Sequence, residues 1–393
     1  MARIKTTHVG SLPRPQDMLS KTLRRQTITP DDLRGYLKDL LDKQLALGIT
    51  YISNGELPRA DYVRETVGRI AGFDAVGTAP LPRDLQELPE LSRRFNGRNG
   101  LITLNPRAPV QLPACSQPLS YTGEASLRQE LDMVVGLFET ADQRGPDSNA
   151  ELFFTAPSPG TVALFMENQY YPSDDEYLEQ IAAVLRREYE IIAGYGVQLQ
   201  VDCPDLAMGR HTRFKDLTDD EFLSRIKTHI HALNHALSGV DPARCRIHVC
   251  WGNYPGTHHC DIGLNVIFEH LMKVHSKYIS VEASNHRHAH EWTVFQDLEF
   301  PQDKVLLPGV IDTSSNVVEH PDLVAQRIVN YARIIGPDRV IASTDCGFAS
   351  TASATSVSGE VAWLKLAALV EGARRAERTL ADTRSTSQTE ANQ

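Results

Sequence analysis

Short apolar, β-rich runs alternate with longer amphipathic stretches along most of this chain. The runs are "TTHVGS", "ITYISNGE", "ELFFTAPSPG", "VQLQVDCPD", "RIHVCWGN", "YISVEASN", "VLLPGVID" and "RVIASTDCG". The stretches between them carry apolar residues at helical spacing and well-marked ends. In "TPDDLRGYLKDLLDKQLALG", Thr29 is placed to cap and Pro30 to open the first turn. Asp31 and Asp32 meet the positive end of the helix dipole, Leu33, Leu37, Leu40 and Leu41 share one face, and Gly48 closes the helix. Ser173 with Glu176, and Thr218 with Glu221, read as capping boxes. Pro321 opens a helix that Gly336 and Pro337 close, and Ser358 precedes a last one. Strands alternating with helices predict parallel βα units, and eight of them predict a (β/α)8 barrel ahead of an open doubly wound sheet. No G-x-G-x-x-G follows the first run, which weakens the dinucleotide-binding version.

Residues 75–150 break the rhythm. "AVGTAPLPRDLQELPELSRRFNGRNG" is rich in proline, glycine and charge and reads as an irregular excursion near one barrel rim. A ninth strand candidate, "PACSQPLSY", lies inside it. The expectation is one catalytic barrel over residues 1–380 and a polar, disordered tail over 381–393.

Composition narrows the partners. The formal charge is −10 and no basic run stands out, so nucleic acid and anionic membrane surfaces are not expected partners. No apolar run is long enough to span a bilayer and "MARIKTTHVG" lacks a signal-peptide core, which makes a cytoplasmic protein the expectation. Six scattered cysteines in a chain of 393 residues suggest free thiols or metal ligands rather than a disulfide framework. Cys115 and Cys245 read as structural, and Cys203 as a packed thiol.

The chemistry concentrates where the strands end. Ser11, Glu56, Asp202 with Cys203, His248 with Cys250, Glu282, Asp312 and Cys346 all lie within or just after the apolar runs. In a (β/α)8 barrel those positions line the active-site mouth. His248 and Cys250 stand at i and i+2 of one strand and share a face, so they can converge on one point. Glu282 and Cys346 can complete a four-ligand zinc site of two thiolates, an imidazole and a carboxylate. Such a site suits a substrate thiol, because coordination to Zn2+ deprotonates sulfur that is otherwise mostly protonated. The expected reaction is displacement by sulfur at an alkyl carbon. Two other clusters compete for the metal: His258, His259 and Cys260 in "THHCD", and His286, His288 and His290 in "NHRHAHEW". Pocket lining or rim hydrogen bonding is the plainer role for both.

The constellation resembles the cobalamin-independent methionine synthase family, in its C-terminal catalytic barrel, over about residues 5–350. "TTHVGSLPR", "SNGELPRADYV" and "LQVDCPDL" are similar to its strand motifs, and "HVC", "SVE" and "STDCG" match its zinc ligands in order. The resemblance implies zinc on His248, Cys250, Glu282 and Cys346. It implies that the catalytic carboxylates Glu56 and Asp202, with Ser11, hold the amino-acid end of homocysteine, both acids facing its ammonium. The folate side departs from the family. Phe165 stands where the family stacks a tryptophan on the pterin, Met208 where a glutamate contacts the folate, and Ser314 where a histidine is the proton donor. After Cys250 the chain has Trp251, Gly252 and Asn253 in place of an aromatic, a cysteine and an acid, which makes Asn253 a further substrate-side candidate. The second, N-terminal barrel of full-length members does not fit in this length.

The resemblance therefore implies zinc-dependent alkyl transfer, methyl first, to a thiol, homocysteine first, giving methionine. The alkyl donor stays open among folate, corrinoid and epoxide. The runner-up is an epoxide-opening transferase of the epoxyalkane:coenzyme M type, although two acids favour an ammonium-bearing thiol. Arg14, Arg59, Arg210 and Arg287 offer a cationic alternative or a solvated rim. A metal-free barrel of the uroporphyrinogen decarboxylase type and a zinc- or thiol-binding sensor without turnover are the remaining classes.

Overall fold

A computed structural model describes residues 3–24, 26–59, 61–95, 101–141, 149–349 and 356–391. Residues 96–100 and 142–148 of the excursion and 392–393 of the tail lie outside the described residues.

Eight strands form one sheet: β1 Lys5–Thr6, β2 Tyr51–Ile52, β3 Glu151–Pro157, β4 Gln198–Asp202, β5 Cys245–Val249, β6 Tyr278–Glu282, β7 Val305–Ile311 and β8 Ile341–Thr344. From β2 onward each pairs in parallel with the next, and β8 pairs in parallel with β1. The amide of Thr50 donates to the Thr6 carbonyl at 3.1 Å and brings the first two strands together, which closes the (β/α)8 barrel expected from the alternation. All C-terminal strand ends therefore open on one face. In register, His248 of β5 lies between Asp202 of β4 and Ser280 of β6.

Side-chain caps start several of the helices, among which are α1 Pro30–Leu47, α2 Glu124–Glu139, α3 Pro159–Phe165, α4 Asp174–Gly194, α5 Asp219–Ala236, α6 Leu264–Leu271, α7 Pro321–Ile335 and α8 Gly359–Ala391. Thr29 with Asp32, and Thr218 with Glu221, form complete capping boxes. Ser173 accepts from the Glu176 amide at 3.2 Å, the cap half of its box. Leu37, Leu40, Leu41 and Leu45 of α1 are buried against the barrel, while Leu33 is half-buried at its edge. α8 continues to Ala391, through much of the polar segment whose composition suggested disorder; no glycine or proline interrupts it there.

The barrel interior is layered. At the bottom Tyr51, Phe153, Val305, Leu307 and Ile341 form an apolar cluster. Above it the Arg246 guanidinium stacks over Phe153 at 3.5 Å from the ring centroid. It donates to Gln200 Oε1 at 2.8 Å, Thr7 Oγ1 at 3.0 Å and the His8 carbonyl at 2.9 Å. Burial lowers its pKa to about 9. Arg246 and His248 alternate with outward-facing Cys245, Ile247 and Val249, so the period-two face of β5 leads from this layer to the mouth.

Within 75–150, Ala75–Thr78 pairs antiparallel with Gln111–Cys115, which pairs in parallel with Glu167–Asn168 just after α3. The ninth candidate thus divides between Gln111–Cys115 and Ser120–Tyr121, the latter paired with Ile70–Ala71. α2 packs on the barrel through buried Leu127, Leu131 and Val134. Among the described residues no helix is long and apolar enough to cross a membrane.

Candidate active site

One cavity at the open face gathers strand-end residues from distant parts of the chain. Ser11, Glu56, Asp202, His248, Cys250 and Cys346 line it, together with Phe165, Met208 and Asn253. Leu101 and Ile102, from the excursion, and Tyr62 complete the wall.

His248, Cys250 and Cys346 each present a ligand atom within 4.8 Å of the others. The two sulfurs stand 3.8 Å apart. Sharing a proton with Cys346, and then burial, push the Cys250 thiol well above its ordinary range. His248 Nδ1 faces Ser280 Oγ at 3.4 Å, while its Nε2 is buried with no hydrogen-bond partner among the described residues. A buried polar atom without a partner is costly, and a metal ion would satisfy it. Imidazole and two sulfurs are a donor set that fits zinc. Glu282 stands outside this trio. Its Oε1 accepts from the Trp251 amide at 2.8 Å and its Oε2 from Asn285 Nδ2 at 2.8 Å, so the carboxylate is tied to the loops flanking the donors. Burial and then the neighbouring Cys250 raise its pKa well above the carboxylate range. Three of the four expected ligands are therefore together, with the fourth beside them.

Glu56 sits on a strained turn. Its φ is +56°, a conformation in which side-chain-bearing residues are uncommon. The Asn54 side chain accepts from its amide at 3.0 Å, and its carboxylate accepts from Thr155 Oγ1 at 2.9 Å. A Cβ on Gly10 would lie 2.6 Å from Glu56 Oε1, so only glycine leaves that space. Asp202 accepts from Gln200 Nε2 at 2.7 Å. Burial first, and then the charge of Glu56, hold Asp202 well above the ordinary carboxylate range, and burial raises Glu56. Ser11 Oγ accepts from the Ala349 amide at 3.2 Å, and a Cβ on Gly347 would fall 2.0 Å from it. Asn253 Nδ2 donates to the Gly347 carbonyl at 2.8 Å and ties the loop after β5 to that after β8.

Ser314 lies elsewhere. It faces a second, outer cavity that also reaches Glu282 and Cys346, and its amide and hydroxyl donate to Asp312 at 2.8 and 2.6 Å. Arg14 and Arg59 are buried braces: Arg14 donates to the Glu56 carbonyl at 3.2 Å and Arg59 to Thr155 Oγ1 at 2.7 Å. Arg210 pairs with Asp219 at 2.8 Å. Of the rival histidines, His258 and His288 both reach buried Asp261 at 3.1 Å, and His211 approaches it at 3.2 Å. Burial disfavours the His288 cation, but its bonds to Asp261 and Glu291 outweigh that and raise its pKa to about 10.

Tyr62, Leu101, Ile102 and Asp345 join the site without being among the residues expected from the sequence. Asp345 accepts from the amides of Ala283, Ser284 and Asn285 at 2.7–2.9 Å and so fixes the turn after Glu282. Its position in "STDCG", one residue before Cys346, was the available signal. Leu101 and Ile102 come from a segment with no periodic pattern, and nothing local marked them.

Fold and site together define a (β/α)8 barrel whose mouth carries an imidazole–dithiol donor set beside paired buried acids. A family model for the catalytic domain of cobalamin-independent synthases matches residues 165–369. The chain belongs to that family. It is similar to the methionine synthase of Thermococcus kodakarensis, 23% identical over 388 residues covering 96% of this chain and 95% of that one. It is also similar to the methionine synthase of Saccharolobus solfataricus, 22% identical with 94% of each covered. A solved B12-independent methionine synthase from Shewanella sp. W3-18-1, in complex with selenomethionine, shares the fold at a TM-score of 0.72. That match has 19% identity and covers 97% of this chain and 100% of that one.

Proposed function

We propose that this chain transfers a methyl group to the sulfur of homocysteine, giving methionine. The observation that carries the reading is one cavity in which His248, Cys250 and Cys346 converge opposite two buried acids, Glu56 and Asp202. His248, Cys250 and Cys346 would hold zinc, with Glu282 as the adjacent fourth ligand. Zinc bound there would keep the substrate sulfur as a nucleophilic thiolate at neutral pH.

The remaining residues of the cavity orient the amino acid and keep water out. Two buried carboxylates that repel one another are an unfavourable arrangement until a cation enters, and the substrate ammonium is that cation. Ser11, held by the Ala349 amide, offers its hydroxyl to the same end of the substrate. Phe165, Met208, Leu101 and Ile102 form an apolar wall on the donor side. The family resemblance at full chain length supports the same reaction.

Zinc X-ray absorption during titration with homocysteine tests the proposal, and coenzyme M provides the comparison. Homocysteine is expected to add a sulfur to the zinc shell; an unchanged shell would sink the reading. Glu56→Gln is expected to raise KM for homocysteine by about 10- to 100-fold, the value of a charge-assisted hydrogen bond. It should leave the binding of coenzyme M, which has no ammonium, unchanged.

A further inference from the structure

A second group of metal-type donors lies on the rim, outside the catalytic cavity. Glu87 ends the short helix Arg83–Glu87 in the excursion, whereas His259 and Cys260 belong to the loop after β5. Their ligand atoms all lie within 4.8 Å of one another. His259 Nε2 is 2.9 Å from Glu87 Oε2, and the Cys260 sulfur is 3.7 Å from that same oxygen. Three donors of different chemistry, from two separate segments, thus converge on one point.

We propose that Glu87, His259 and Cys260 bind a second divalent cation of the zinc class. The surroundings are built for it. The other imidazole nitrogen, His259 Nδ1, is 2.7 Å from Thr257 Oγ1, which in turn lies 3.5 Å from Asp84 Oδ2. That relay fixes the ring with Nε2 toward the cation, as carboxylate-linked partners do at metal sites. Asp84 is fully buried and also accepts from the amides of Thr257 and His258 at 3.1 and 2.9 Å and from the Tyr254 hydroxyl at 2.9 Å. The loop that presents His259 and Cys260 is therefore held in place before any ion arrives. Arg83 occupies only the far oxygen of Glu87, Oε1, at 2.8 Å, and leaves Oε2 to the ion.

Binding releases one proton, from Cys260 to solvent, as the cation–sulfur bond forms. The resulting centre of one dication, one thiolate and one carboxylate is neutral. Its donors are partly exposed, so solvent supplies the remaining position. An ion there would clamp the excursion to the loop that begins with Trp251, Gly252 and Asn253, and so fix one wall of the catalytic cavity.

The test uses the full chain stripped of metal and titrated with Co2+, whose sulfur charge-transfer absorption reports cysteine ligation. In the Cys250→Ser/Cys346→Ser protein, one Co2+ per chain is expected with that absorption. Adding Cys260→Ser should abolish the absorption, and adding Glu87→Gln should weaken binding at least about tenfold. No sulfur-ligated Co2+ in the double variant, or absorption that survives Cys260→Ser, would overturn the inference. Should the double variant fail to fold, Cys260→Ser alone must lower uptake by one ion per chain; unchanged uptake again overturns it. The catalytic zinc is tested apart from this, because its loss would remove the ion that depends on Cys250 and Cys346.

Discussion

At the scale of single residues, the site is governed by close approach. Ser11 and Gly347 come from opposite ends of the chain, yet a single methyl group at 347 would fall 2.0 Å from the Ser11 hydroxyl oxygen. Overpacking of this kind typically costs about 1–3 kcal/mol. Gly347→Ala is therefore expected to raise KM for the thiol substrate roughly tenfold or more and to lower Tm, readable by steady-state kinetics and calorimetry on one sample. Gly10 provides the same kind of space for Glu56, and the positive φ of Glu56 stores strain at the point where its carboxylate enters the cavity. The residue types at these positions were legible from strand ends. Which atoms they touch was not, because a glycine carries no sign of what fills the room it leaves.

At the scale of elements, loops after the strands are fixed by buried acids. Asp345 gathers three consecutive amides of the turn after β6, the turn that follows Glu282. With zinc held as proposed above, Asp345→Ala should lower its affinity about 10- to 100-fold, because the turn that follows Glu282 loses its anchor, measured by competition with a chelator. The excursion is anchored by a different device. Buried Arg69 bonds Glu188 of α4 at 3.1 Å and Glu130 of α2 at 2.7 Å. Arg69→Met leaves Glu188 buried without its cation and is expected to cost about 3–5 kcal/mol, seen as a shift in the urea midpoint. Glu188→Gln in the same chain should recover part of that loss. Capping residues at Thr29, Ser173 and Thr218 announced their helices because caps act within one turn. The pairing of Gln111–Cys115 with a segment after α3 joins residues far apart, and no local pattern encodes it.

For the whole molecule, stability against pH follows from histidines closed off in the barrel. His8 is buried, donates from Nε2 to Gln44 Oε1 at 2.8 Å, and burial lowers its pKa to about 3. The unfolded chain, with an ordinary imidazole near pKa 6.5, binds a proton that the folded chain refuses between those values. The His8 contribution to stability is therefore fully present above about pH 6.5 and is lost as pH drops toward 3, by about 1.4 kcal/mol per unit. Urea melts at pH 7 and pH 5 should show His8→Gln losing about 2 kcal/mol less than the native chain over that interval. An equal loss in both would show that His8 does not titrate in this way.

The alternation of apolar runs and amphipathic stretches determined the barrel, because eight right-handed βα units with buried strands have few other ways to close. Period two along β5 also determined that His248 shares a face with Cys250. Only the tertiary structure decided which strand-end residues meet. It brought Cys346 to 3.8 Å from Cys250, engaged Glu282 with Trp251 and Asn285, and sent Ser314 to an outer cavity. It also separated His259 and Cys260 from His258 and paired them with Glu87, a partner 172 residues earlier in the chain. The physical reason is one of range. Hydrogen-bonded repeats and hydrophobic periods act over a few residues and are written in order, whereas a site forms from distances that exist only after the chain has closed on itself.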